Sequence, residues 1–332
     1  MMSTIGEYLK VARLHSAVLT GMTPVLGAIV TNYYNPIVLI ILYFIGVCTH
    51  IFGFTLNEYL DLDIDRRSKD LKNKPLVKGT ISKQAALTFA FGAIIVGYIL
   101  IFILINFFCC PGFFATIFYT LSWLAIGIYD LTSKKLRGTD IILALWIGLL
   151  GLFGGFAVST APDERIFIIA ALAFFQLWIQ NVLAGLKDVQ HDELAHGTTA
   201  SLRMGVRLEY NRLIVPLRFQ TYLYFLKFMH AFVILQAFLN FCFSDNPLQV
   251  YLVIILILVV FLIVFHIFNM PVYNREELLR AIGLHEILSY SIVIILIYEL
   301  LLLPLVIIFL LIPIVWLAVF MKIMYGRLLP EI

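Results

Sequence analysis

"NEYLDLDIDRRSKD", residues 57–70, decides how this chain is read. It holds five acids (Glu58, Asp61, Asp63, Asp65 and Asp70) and three bases (Arg66, Arg67 and Lys69) in fourteen residues. Directly before it, residues 36–56 contain no Asp, Glu, Lys or Arg. A helix that continues from the apolar run places Asn57, Asp61 and Asp65 four apart, stacked on one face, while Asp63 points elsewhere. Two carboxylates and an amide on one face, with no lysine in the stripe, repel each other unless a cation lies among them. Oxygen-only ligands suit hard Mg²⁺, which keeps waters and shares itself with substrate phosphates. A single pair of aspartates at this spacing reads more readily as a solvated helix end, so a second one matters.

The surroundings are those of a membrane. The 332 residues are 62% hydrophobic and 13% charged, with mean hydropathy +1.00. A soluble domain carries about 25% charged residues. The deficit predicts an all-α polytopic bundle, whose lipid-facing side chains are as apolar as its core. The first residues, "MMSTIGEYLKVARLHS", show no apolar run followed by a small-residue cleavage site. A net charge of +3 makes no case for nucleic acid. Cys48, Cys109, Cys110 and Cys242 lack metal-type spacing and read as ordinary thiols, with the Cys109–Cys110 pair in a loop.

Apolar segments fall at about 14–32, 35–56, 84–106, 110–128, 140–160, 165–186, 222–243 and 248–270. The stretch from about 284 to 325 is too long for one crossing and splits near Leu301–Pro304, giving ten spans, or nine if it is one kinked helix. Lys and Arg concentrate in alternate loops, 57–83, 129–139, 187–216 and 271–283, whereas "NYYNP", "NFFCCPG", "STAPDE" and "FSDNP" have none. The positive loops and the N-terminus are therefore expected on the cytoplasmic side. Lys227 lies inside the seventh span and is expected to snorkel toward that interface. "NREELLRAIGLHEI", residues 274–287, reads as a short amphipathic surface helix.

The second acidic segment is "NVLAGLKDVQHDELAHGTTA", residues 181–200. Asp188 and Asp192 again stand four apart, with Asn181 two turns back if the helix runs on. One segment follows the second span and the other the sixth, so four spans separate them. That predicts a parallel internal repeat, about 14–128 and 140–270, within a single domain 1–332, with the spans of about 284–325 added after it. Asp61 and Asp65 then correspond to Asp188 and Asp192, and four carboxylates meet in one cavity.

With these residues in hand, the chain resembles the UbiA superfamily of intramembrane prenyltransferases. Asn57, Asp61 and Asp65 meet its first motif, followed by "NKPLVKG", residues 73–79, with its Pro-x-x-x-Gly element. Asp188, Asp192, Gly197 and Thr199 meet its second motif. "YDLTSKK", residues 129–135, and Arg13 in "YLKVARLHS" meet two more elements. The likeness covers about residues 8–245. The stretch from Asp65 to Gly79 is slightly longer than in quinone-type members, and the C-terminal spans carry no motif. The resemblance implies a helical bundle around a central cavity, capped on the cytoplasmic side by the motif loops. It implies Mg²⁺-dependent transfer of a prenyl group from a polyprenyl diphosphate to a lipophilic acceptor, an aromatic (quinone) precursor, a glycerol-phosphate ether lipid precursor or a tetrapyrrole.

The expected roles follow from the chemistry. Asn57, Asp61, Asp65, Asp188 and Asp192 hold the metal. Arg13, Lys74, Lys78, Lys134, Lys135 and Lys187 supply cations to the leaving diphosphate, with Arg13, Lys134 and Lys187 foremost. Tyr129 offers an aromatic face to an allylic cation. His50, Gln180, Asn181, His191 and His266 read first as hydrogen-bonded bundle residues. No protein partner is implied. Three alternatives stay open: cyclisation of the prenyl diphosphate, transfer of a sugar phosphate to a polyprenyl phosphate, and a cation-coupled transporter. The last fits poorly with acids at helix ends rather than at the midplane.

Overall fold

The structure is a computed structural model that describes residues 4–66, 71–133, 136, 138–189, 199–240 and 246–326. Its helices are α1 (Thr4–Val11), α2 (Ala17–Ile29), α3 (Pro36–Asp65), α4 (Pro75–Lys78), α5 (Lys83–Phe108), α6 (Phe113–Thr132), α7 (Asp140–Phe156), α8 (Arg165–Ala184), α9 (Ala200–Arg203), α10 (Leu217–Asn240), α11 (Pro247–Phe268), α12 (Arg275–Leu296) and α13 (Leu303–Tyr325). Among the described residues, eight helices are long and apolar enough to cross a membrane: α3, α5, α6, α8 and α10 to α13. The apolar helices Leu14–Ile29 and Asp140–Phe156 are shorter. Each of the ten apolar segments expected from the sequence coincides with one of these. The break falls where Pro304 requires it: a 3₁₀ turn at Tyr298–Leu300 separates α12 from α13, and Pro304 takes the second position of α13.

Local chemistry starts the helices. Asn35 and Asn246 each precede a proline and accept backbone N–H groups two residues on. The amide oxygen satisfies donors that the first turn leaves open, and proline at the first position loses nothing by lacking its own N–H. Asn274 caps α12 in the same way, taking the amides of Glu276 and Glu277. From that cap the helix runs unbroken to Leu296, with Leu278 and His285 buried. Residues 274–287 are therefore the first turns of a long apolar helix, not the separate surface helix expected. Apolar positions continue past Leu284 at helical spacing, so nothing stops the helix there.

The chain divides into two compact units. The first comprises Met1–Leu131, Leu149–Ile166 and Leu311–Ile332. Its helices α2 and α7 approach closely at glycines: a methyl at Gly27 would meet the Gly151 carbonyl, and one at Gly154 the Pro24 carbonyl. Helix α13 joins this unit, where Trp316 Nε1 donates to the Leu14 carbonyl at 2.8 Å. The second unit comprises Thr132–Gly148 and Phe167–Leu310. It contains the only β-strands among the described residues, an antiparallel hairpin of β1 (Arg207–Glu209) and β2 (Arg212–Ile214). Tyr210 and Asn211 turn it with positive φ angles of 46° and 60°, the twist a two-residue hairpin loop requires. The hairpin packs with the end of α8 and the start of α12 on a core that includes Leu186, Val206, Leu213 and Leu278.

Outside these cores the long helices present large apolar side chains, such as Ile95 and Phe102 on α5 and Leu258 and Leu262 on α11. Rows of this kind suit contact with lipid tails.

Candidate active site

Helix α3 is 30 residues long, about 45 Å at 1.5 Å per residue. A bilayer core of about 30 Å leaves some of it outside, and the polar residues at its C-terminal end are that part. Asn57 and Asp61 are half-buried and Asp65 is buried, on the expected stripe. Asp63 is 73% exposed and pairs with Lys83 at 3.4 Å and Arg66 at 3.6 Å.

The return segment packs under this end. Leu62, Leu76, Ile81, Val11 and Ala86 form a small buried cluster. Burial of each of the larger side chains stabilises it by roughly 1.5–3 kcal/mol. The cluster fixes α4, and Lys74, the residue before Pro75, is thereby aimed at α3. Its Nζ lies 2.8 Å from Asp65 Oδ2 and 3.0 Å from Glu58 Oε1. Glu58 Oε1 also accepts from Arg13 Nη2 at 2.7 Å. Arg13 sits at the break after α1 with φ at +45°, which turns its guanidinium toward α3. Arg13, Glu58, Lys74 and Asp65 thus form one chain of alternating charge at the end of an apolar helix. Lys74 is a cation among the carboxylates, which the sequence reading placed only with the diphosphate. The sequence reading gives Glu58 no role. It stands three before Asp61 and seven before Asp65, a helical spacing that would have found it.

Asn57 Nδ2 donates to Asp130 Oδ1 at 3.4 Å. Asp130 is buried at the end of α6, beside half-buried Tyr129. His50 takes the bundle role: it is buried, with Nδ1 3.1 Å from Thr20 Oγ1 and Nε2 3.3 Å from the Arg13 carbonyl. Lys78 is exposed at the end of α4.

In the second unit, α8 ends at Ala184. The amides of Leu186 and Lys187 bond three residues back, to Leu183 and Ala184, and Ser201 Oγ donates to the Gly185 carbonyl at 3.3 Å. The tightened turn ends the helix, so the expected continuation from Asn181 to Asp188 on one face does not hold. Asn181 Nδ2 instead donates to Asp140 Oδ1 at 2.6 Å. Asp188 is flanked by Lys187 Nζ at 3.5 Å and Arg275 Nη2 at 3.7 Å. Tyr273 Oη donates to the Lys187 carbonyl at 3.3 Å. Lys134, Lys135, Asp192, His191 and Gly197 lie outside the described residues. Lys227 does not snorkel: it is 2% exposed, with Nζ 3.2 Å from His285 Nε2. A nitrogen acceptor facing it inside the bundle removes the reason to reach for water. His266 Nε2 meets Glu277 Oε1 on α12 at 3.1 Å, the helix-to-helix bond expected of it.

Among the described residues no three His, Cys, Asp or Glu side chains are gathered for a metal. The donor chemistry nevertheless fits Mg²⁺. Asn57, Asp61 and Asp65 offer oxygens only, and Glu58 and Asp65 already share a cation, the Lys74 ammonium.

The sequence model of the UbiA prenyltransferase family matches residues 18–282. The digeranylgeranylglyceryl phosphate synthase of Sulfurisphaera tokodaii is 26% identical over 208 residues, 61% of this chain and 71% of that protein. The protoheme IX farnesyltransferase of Protochlamydia amoebophila is 26% identical over 49% of this chain and 56% of its own length. Among solved structures, a digeranylgeranylglyceryl phosphate synthase superposes with a TM-score of 0.63 at 18% identity, covering 90% of this chain and 99% of that one. A UbiA homolog from Archaeoglobus fulgidus bound to GPP and Mg²⁺ does so with 0.60 at 17% identity, covering 86% and 99%. At such identities the structures speak for the fold, and the match of the family model over most of the chain speaks for the family. The chain belongs to the UbiA prenyltransferase family and is an integral-membrane, multi-pass prenyltransferase.

Proposed function

We propose that this enzyme transfers a polyprenyl group from its diphosphate to the hydroxyl of a prenylglyceryl phosphate, forming an ether lipid, with Mg²⁺ and with the site open to the cytoplasm. One observation carries the reading: the Arg13–Glu58–Lys74–Asp65 chain stands at the polar end of a long apolar helix, beside Asn57 and Asp61. A prenyl diphosphate divides in the same way, with an apolar tail for the helices and a charged head for their ends.

Asn57, Asp61 and Asp65, joined by Asp188 and Asp192, would hold the metal. Mg²⁺ there would neutralise charge on the diphosphate as the bond to carbon breaks. Arg13, Lys74, Lys78, Lys134, Lys135 and Lys187 bind the diphosphate oxygens. Lys134 and Arg13 meet the charge that develops on ionisation. Glu58 holds Arg13 and Lys74 in place, so it positions both without touching substrate. Tyr129 presents its ring to the allylic cation.

Relatives matched over the larger share of both chains are named digeranylgeranylglyceryl phosphate synthases, which supports a prenylglyceryl phosphate as the acceptor. The Lys and Arg bias of alternate loops supports the cytoplasmic side. The test is incubation of the purified full chain with Mg²⁺, labelled geranylgeranyl diphosphate and three acceptors: geranylgeranylglyceryl phosphate, a phenolic quinone precursor and protohaem. An ether product with the first supports the reading. A product only with another acceptor moves the substrate assignment. Release of diphosphate with a cyclic hydrocarbon instead of a transfer product overturns it.

A further inference from the structure

Three helices of the second unit bury a polar chain that the reading above does not use. On α10, Lys227 Nζ meets His285 Nε2 of α12 at 3.2 Å. His285 Nδ1 meets Gln180 Oε1 of α8 at 3.3 Å. Gln180 Nε2 meets Glu286 Oε2, again on α12, at 3.1 Å. An ammonium only donates and an amide oxygen only accepts, so one arrangement satisfies all three bonds. His285 accepts at Nε2 and donates from Nδ1, and the amide N–H of Gln180 donates to Glu286. Every donor points toward the carboxylate.

The two ends differ. Lys227 and His285 are sealed, at 2% and 0% exposed. Glu286 and Gln180 keep accessible surface. One turn along α8, the amide nitrogen and oxygen of Gln176 are buried with no hydrogen-bond partner. His230 Nε2, on α10 one turn from Lys227, is likewise buried without one. Ionisable side chains in an apolar bundle are costly to keep, and they mark function more often than they serve as glue. Along the chain, Gln180 is followed by Asn181 and then by the turn that carries Asp188, so the open end lies one turn of α8 plus that turn inward of the second acidic segment.

We propose that Gln176, Gln180 and Glu286 form the subsite for the acceptor's hydroxyl, with Glu286 as the group that takes its proton. This rests on the function proposed above. The acceptor oxygen forms a bond to C1 of the prenyl group. The C1–O bond to diphosphate breaks, its electron pair leaving with the diphosphate. The hydroxyl proton passes to the Glu286 carboxylate. Lys227 and His285 fix the amide of Gln180 so that its N–H faces that carboxylate. The ligand class is an alcohol; an acceptor without an O–H has nothing to give Glu286.

The experiment uses the full chain in detergent with Mg²⁺, geranylgeranyl diphosphate and geranylgeranylglyceryl phosphate. Glu286→Gln keeps the size of the side chain and an oxygen for Gln180. It should lower kcat for ether formation by about a hundredfold, the scale of a lost general base, while affinity for the unreactive geranylgeranyl thiodiphosphate stays near wild type. Transfer at close to the wild-type rate overturns the inference. The wild-type protein supplies an arm independent of folding: the methyl ether of the acceptor should compete about tenfold more weakly than the alcohol, because it offers Glu286 no O–H beside the Gln180 donor. Equal competition also overturns it. A wild-type protein that makes no ether at all overturns the proposed function, and the subsite with it.

Discussion

The ammonium of Lys74 lies 2.8 Å from Oδ2 of Asp65, nine residues back along the chain. A lysine thus stands where the acidic stripe needs a positive charge. If Asp65 also binds Mg²⁺, the two cations oppose each other. Lys74→Met should therefore lower the Mg²⁺ concentration for half-maximal activity severalfold, while kcat falls because the diphosphate loses a cation. A titration of activity against Mg²⁺ separates the two effects. A half-saturation point that rises would show that Lys74 helps to assemble the metal site.

Glu58 is held by Arg13 and Lys74 together, with its side chain 5% exposed. Glu58→Ala removes the carboxylate that half-buried Arg13 and Lys74 share and leaves Lys74 with Asp65. Loss of a charged hydrogen bond costs about 1.5–3 kcal/mol. The expected result is a clear fall in the detergent unfolding midpoint. Glu58→Gln should recover part of it, since the amide oxygen still accepts from Arg13. If Glu58→Ala unfolds at the wild-type midpoint, the chain from Arg13 to Asp65 does not stabilise this end of the fold.

Asp61→Ala, Asp65→Ala, Asp188→Ala and Asp192→Ala are each expected to abolish diphosphate release, and EDTA should do the same to the wild type. Asp63→Ala should keep most of the activity, because its carboxylate is in solvent and faces Lys83 and Arg66. Equal loss at Asp63 would contradict the assignment of the metal to one face of α3.

Sidedness is open to a thiol test. Cys109 is exposed in the loop between α5 and α6. Tyr210, at the tip of the hairpin, is fully exposed. In a background with the other cysteines replaced, Cys109 should react with impermeant reagents from outside the cell, and Tyr210→Cys only from the cytoplasm. Labelling of both from the same side would refute the orientation drawn from the Lys and Arg bias.

The amino-acid sequence by itself determined what depends on composition and short-range spacing. Apolar runs of helix-spanning length located ten helices, because a lipid environment leaves the backbone no alternative to internal hydrogen bonding. Spacing of four brought Asn57, Asp61 and Asp65 to one side of α3 and put Asp63 on another, since the helix continues through them. Pro304, in an apolar stretch too long for one crossing, marked the break before α13.

Tertiary structure decided what depends on which segment returns to which. Lys74 reaches Asp65 only because Leu76 and Ile81 pack on Leu62, and no local pattern states that contact. Lys227 stays inside because His285, 58 residues away, offers it an acceptor; from the sequence alone, water at the interface was the nearer partner. Helix α8 stops at Ala184, where Ser201 holds the following turn, although the residues beyond carry no helix breaker stronger than Gly185. Periodicity reports the face a residue occupies on its own helix. The partner on that face comes from packing between segments distant in the chain, and that decides whether a charge is neutralised, buried or left to meet a substrate.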